Sequence, residues 1–133
     1  MIECLILGDS LAVGIQQQRP ECVTYSRVGL NTMQWNKKFL GNNLSAETVV
    51  ISLGTNDHVG IRTKAELQRV REKVGTKSKV YWILPLINDE VQAAVKNIAK
   101  EYNDIVLTVP DTEKKGIHPT NIGYKTLANQ TKG

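Results

Sequence analysis

The stretch GDSLAVG, residues 8–14, puts a hydroxyl, Ser10, directly after the apolar run Ile2–Leu7. Two roles suit a serine there. As a nucleophile it needs a base elsewhere in the chain to take its proton. Alternatively, Ser10 and Asp9 open a helix, where side-chain oxygens satisfy orphan backbone donors. Imidazole titrates close enough to neutrality to take a proton and give it back, and the chain has two histidines, His58 and His118. The two cysteines, Cys4 and Cys22, lie in apolar or strand-like stretches without C-x-x-C spacing. They are expected as buried thiols, with no disulfide framework implied. With so few histidines and no paired cysteine or acidic ligand spacing, neither a metal nor any other cofactor is expected.

Five β-type runs are available to position these groups: Ile2–Leu7, Cys22–Arg27, Thr48–Leu53, Lys79–Leu84 and Ile105–Val109. TVVISL and VYWIL are apolar at nearly every position, as in strands buried on both faces of a parallel sheet. Helical patterns lie between the runs. Over Asp89–Tyr102, residues Val91, Ala94, Val95, Ile98, Ala99 and Tyr102 recur at helical spacing, with Asp89 and Gln92 set as a capping box. A weaker helix is expected over Lys64–Val74. Thr32 is placed to cap a helix carrying Trp35, Phe39 and Leu40, and Thr120 to cap a last helix through Leu127. Strands alternating with helices imply a three-layer α/β domain with a parallel sheet, whose sites gather at the carboxyl ends of the strands. GDS, RVG and GTND end the first three strands and are expected on that edge.

Composition narrows the function. The chain has 133 residues, 41% of them hydrophobic, which suits a single domain spanning 1–133. Its 17 basic and 13 acidic residues are interspersed and leave a net charge of +4, and aromatic residues make up 5%. This gives neither a concentrated basic face nor a stacking platform, so no nucleic-acid partner is expected. No apolar run approaches the ~18 residues of a membrane span, and no basic region precedes a long apolar segment. The expected setting is cytoplasmic, or otherwise without a classical export signal.

Four ordered blocks, GDSL at 8–11, Gly29 within SRVGLNT, GTND at 54–57 and GIHPT at 116–120, resemble the SGNH hydrolases, also called GDSL esterases and lipases. The resemblance covers nearly the whole chain, which is compact for that family. It implies a flavodoxin-like α/β/α fold with a five-stranded parallel sheet of strand order 2-1-3-4-5. It also implies ester hydrolysis through an acyl-enzyme, with Ser10 as nucleophile and His118 as general base. The Ser10 backbone N–H, the Gly29 backbone N–H and the Asn56 side-chain amide would form the oxyanion hole. Each residue also has a plainer role open to it. Gly29 suits a turn, and Asn56 and Asp57 suit a cap after the third strand. Asp9 and Asp57 are read as structural, and His58 as part of the rim.

One position departs from the family pattern. An aspartate normally stands three residues before the histidine; here that residue is Lys115. In serine proteases, replacing the triad aspartate by asparagine lowers turnover about 10⁴-fold. Asp111 and Glu113 are the nearby candidates for a substitute acid, neither at the family's spacing. The expectation is therefore a slow Ser-His dyad acting on short acyl esters, acetyl foremost, of the kind carried by carbohydrates. The alternative is a catalytically degenerate module that binds an acylated or sugar ligand.

Overall fold

The computed structural model describes residues 2–110, 112–113, 116 and 118–133. Five strands alternate with five helices: β1 (Ile2–Gly8), α1 (Ser10–Gln18), β2 (Val23–Ser26), α2 (Thr32–Phe39), β3 (Ala46–Ser52), α3 (Thr63–Val74), β4 (Lys79–Leu84), α4 (Asp89–Tyr102), β5 (Ile105–Thr108) and α5 (Asn121–Gln130). All strand pairs are parallel, in the order β2-β1-β3-β4-β5, as expected. The central strands β1, β3 and β4 are buried along most of their length, which is why their sequences read as continuous apolar runs rather than as alternation.

The sheet separates two cores. On one face Leu5, Leu7, Val49, Ile51 and Trp82 pack with Trp35 of α2, Leu67 and Val70 of α3, and Val95 and Ile98 of α4. On the other face Cys4, Ile6, Val50, Tyr81 and Ile83 pack with Leu11 and Ile15 of α1 and Leu127 of α5. A buried ion pair anchors the first face. Arg71 grips Asp104 through Nε at 2.7 Å and Nη2 at 3.0 Å, and Trp82 Nε1 donates to the same carboxylate at 2.9 Å. Both charged side chains are almost fully enclosed. Fork-to-fork geometry and an added indole donor satisfy the pair where water cannot reach.

Three sequence expectations require correction. Cys4 and Cys22 are not thiols but a disulfide, with Cα atoms 4.9 Å apart. The β1/β2 register sets Leu5 beside Val23, so the preceding residues, the two cysteines, face each other across neighbouring strands. A separation of 18 in sequence carries no sign of that register. Asn31, not Thr32, caps α2, its side chain accepting from Gln34 N in a full capping box. Asn88, not Asp89, caps α4, accepting from Glu90 N and Val91 N, while Gln92 Nε2 turns back to the Pro85 carbonyl at 2.7 Å. In both helices a neighbouring asparagine takes the cap, and Thr32 and Asp89 become the first helical residues. Thr120 does cap α5, accepting from Gly123 N at 3.2 Å.

Candidate active site

The first βα turn is built for close approach. Gly8 ends β1 at φ +147, and a Cβ there would lie 1.9 Å from the Ser52 carbonyl oxygen. Only glycine lets β1 and β3 run this close at their ends. Asp9 then caps α1: its backbone N–H donates to Ser52 O at 3.0 Å and its Oδ1 accepts from Leu11 N at 3.1 Å. Ser10 is thus the first residue of α1, half-buried at the carboxyl edge of the sheet. Its backbone N–H is one of the helix-terminal donors that lack an intrahelical partner.

His118 arrives at this edge from the far end of the chain. A bridge pairs Thr112 with Pro119 in antiparallel fashion, and Glu113 N donates to His118 O at 2.9 Å. Two residues further on, Thr120 starts α5. That helix packs on α1, with the Tyr124 ring lying against Gly14, where a Cβ would sit 2.3 Å from the ring. The outcome is a hydrogen bond of 3.0 Å between Ser10 Oγ and His118 Nε2, across 108 residues of sequence.

Gly29 and Asn56 leave the ends of β2 and β3, which flank β1 in the sheet. Gly29 is exposed in the left-handed region at φ +86, with nothing within 4 Å of where a Cβ would be. The half-buried Asn56 donates from Nδ2 to Leu30 O at 3.1 Å; an amide nitrogen carries two hydrogens, so one remains for another acceptor. Asp57 does not cap the segment after β3. Its Oδ1 accepts from Thr32 N at 2.8 Å and its Oδ2 from Thr32 Oγ1 at 2.7 Å and Thr63 Oγ1 at 2.5 Å. That link was not legible in sequence, since Thr32 and Asp57 are 25 residues apart and meet only through the order of the strands.

Ser10, Gly29, Asn56 and His118 therefore share one edge, as the sequence blocks anticipate. Of the two candidate substitute acids, Asp111 lies outside the described residues, as does Lys115. Glu113 is exposed, and among the described residues no carboxylate is hydrogen-bonded to His118 Nδ1. Among the described residues, Asp9 is the titratable group most altered by the fold. Burial pushes its carboxyl from 3.8 up to about 7, against the hydrogen bonds from Leu11, its own backbone and Ser52. Its Oδ2 is buried without a partner.

His58 is exposed and, with Val59, Arg62, Lys64, Gln68 and Asn97, lines a groove of about 920 Å³ between the loop after β3 and α4. Ser10, Gly29, Asn56 and His118 do not line this groove. Among the described residues the cluster of possible metal donors is Cys4, Glu21 and Cys22, well away from Ser10, and the disulfide engages both sulfurs. No helix there is long and apolar enough to cross a membrane.

Sheet order and helix placement match the flavodoxin-like fold found in SGNH hydrolases. Solved structures agree. One is a member of the lipolytic G-D-S-L family from Veillonella parvula, with TM-score 0.67 and 18% identity over 98% of this chain and 96% of that one. Another is the C-terminal catalytic domain of peptidoglycan O-acetyltransferase A from Streptococcus pneumoniae, with TM-score 0.60 and 16% identity over 96% of this chain and 89% of that one. No family model and no curated protein matches the sequence. The chain thus shares the fold of these two solved proteins.

Proposed function

We propose that the chain is a serine esterase that hydrolyses short-chain acyl esters, acetyl esters foremost, carried on carbohydrate. His118 Nε2 takes the Ser10 proton as Oγ attacks the ester carbonyl. The tetrahedral oxyanion is met by the Ser10 and Gly29 backbone N–H groups and by the Asn56 amide hydrogen that Leu30 leaves free. The imidazolium then returns its proton to the departing alcohol, and a water activated by the same imidazole releases the acid from Ser10. The observation that carries this reading is the 3.0 Å contact between Ser10 Oγ and His118 Nε2, beside three donors that suit an oxyanion. The compact chain, with little material for a lid, supports short acyl groups. The acetyl-transferring neighbour from Streptococcus pneumoniae is consistent with acetyl chemistry on a glycan.

A second reading, a module that binds an acylated or sugar ligand without turning it over, is favoured by one observation: Lys115 stands where the family carries its aspartate. A serine-directed phosphonate separates the two. The expected result is one adduct per chain on Ser10 by intact mass, absent in Ser10→Ala. The same protein should hydrolyse p-nitrophenyl esters with rates falling from acetyl to octanoyl. No adduct, together with hydrolysis that survives Ser10→Ala, refutes the esterase. A maximum at eight carbons or more refutes the short-acyl preference.

A further inference from the structure

The structure assigns Asp57 as a positioning residue that sets the span of the oxyanion hole by tying the Gly29 loop to the Asn56 loop; this assignment rests on the esterase reading above. The two side donors come from β2 and β3, strands that do not touch because β1 lies between them. No ladder hydrogen bond therefore fixes the gap between Gly29 and Asn56. Cross-loop contacts must do so. Asn56 Nδ2 to Leu30 O is one such contact, at 3.1 Å. Asp57, the next residue, makes three more. One carboxylate oxygen takes the Thr32 N–H and the other takes the hydroxyls of Thr32 and Thr63.

Thr32 is fully buried and Asp57 is 9% exposed. The carboxylate thus spans three elements from an enclosed position. It sits at the N-terminus of α2, where the helix dipole favours an anion, and it holds the first turn of α3, which has no side-chain cap of its own. Charge-assisted hydrogen bonds of this kind are shorter and stronger than neutral ones. Oxyanion donors are effective only when held at the position the charge will occupy, before the charge appears. Asp57 supplies that preorganisation without touching the substrate. Its negative charge is met by three donors, which limits its opposition to the oxyanion.

The test is a double-mutant cycle on p-nitrophenyl acetate hydrolysis. Asn56→Ala removes a donor and is expected to lower kcat by about 10²–10³. Asp57→Ala is expected to lower kcat by about 10–100-fold with KM changed less than about threefold, since the lost interaction acts in the transition state. In the Asn56→Ala background the same change is expected to cost less than about threefold, because the donor pair it holds is already broken. A merely structural role gives the opposite pattern: lower thermal stability with kcat intact, or the same penalty in both backgrounds. Either result overturns the assignment.

If Asp57→Ala does not fold, Asp57→Asn and Thr32→Val take its place in the cycle, with the same non-additivity expected. Amide hydrogen exchange in the Ser10→Ala protein needs no activity. There Asp57→Asn is expected to speed exchange of the Gly29, Leu30 and Thr32 amides at least about tenfold over those of β4. Unchanged exchange at those amides overturns the assignment even if no esterase activity exists. Hydrolysis that survives Ser10→Ala overturns the esterase reading alone.

Discussion

Replacing Asp9 by asparagine is expected to stabilise the protein at alkaline pH and to leave it unchanged at acid pH. Asp9 is fully buried, and its carboxyl is pushed from 3.8 to about 7, burial being the largest cause and the charge of Asp57 adding to it. Between those two pH values the folded protein holds a proton that the unfolded chain has released. Stability therefore falls as pH rises through the window, by about 1.4 kcal/mol per pH unit, with a ceiling of about 4 kcal/mol above pH 7. The asparagine of the Asp9→Asn variant does not titrate, yet its side-chain oxygen can still accept from Leu11 N. At pH 4 both proteins bury a neutral group whose second polar atom lacks a partner, so they should agree within about 1 kcal/mol. At pH 8 the variant should be the more stable by about 2–4 kcal/mol. Tyr124, the other group with a raised pKa nearby, is lifted above its ordinary 10.0 by its own burial and then by Asp9 and Glu113, so it stays protonated throughout. Urea unfolding at pH 4, 6 and 8 measures the difference. A gap between the two proteins that does not change with pH refutes the argument, because it would mean that Asp9 ionises in the folded state as freely as in the unfolded one.

Two further substitutions probe the staple and the missing acid. Replacing Cys4 and Cys22 together by alanine removes a covalent loop of ordinary size and should cost about 2–4 kcal/mol. Urea unfolding with and without reductant checks this, and equal midpoints for the oxidised parent and the variant would refute it. On the esterase reading, Lys115→Asp, which introduces the aspartate that the SGNH resemblance implies, should raise Ser10-dependent turnover about tenfold or more by fixing the His118 tautomer and offsetting the imidazolium charge. Unchanged kcat in a folded variant would mean that another group already orients the ring.

Much of the sheet was legible because its central strands are buried on both faces, so TVVISL and VYWIL carry their position in their composition. The helices were legible by period, but the starts of α2 and α4 were not. Adjacent residues such as Asn31 and Thr32 are both competent caps, and tertiary contacts choose between them; Thr32 is drawn away by Asp57. Ser10, Gly29, Asn56 and His118 came from the pattern of blocks, since no local property of His118 reveals that it returns to β1. The disulfide and the Asp57 clamp escaped the sequence for a common reason. The disulfide depends on the β1/β2 register and the clamp on where the loops after β2 and β3 run, and the spacing of residues along the chain encodes neither.

The contact between Ser10 and His118 joins the first helix to the turn before the last, 108 residues later. Such a contact closes one of the longest loops the chain allows, and it gains nothing until the intervening strands are in register. During synthesis Ser10 leaves the ribosome early and stays without its histidine partner until residue 118 follows. A chain cut short before His118 holds all five strands but lacks the imidazole that meets Ser10. On the esterase reading, labelling at Ser10 reports that the turn carrying His118 has come back to the first helix.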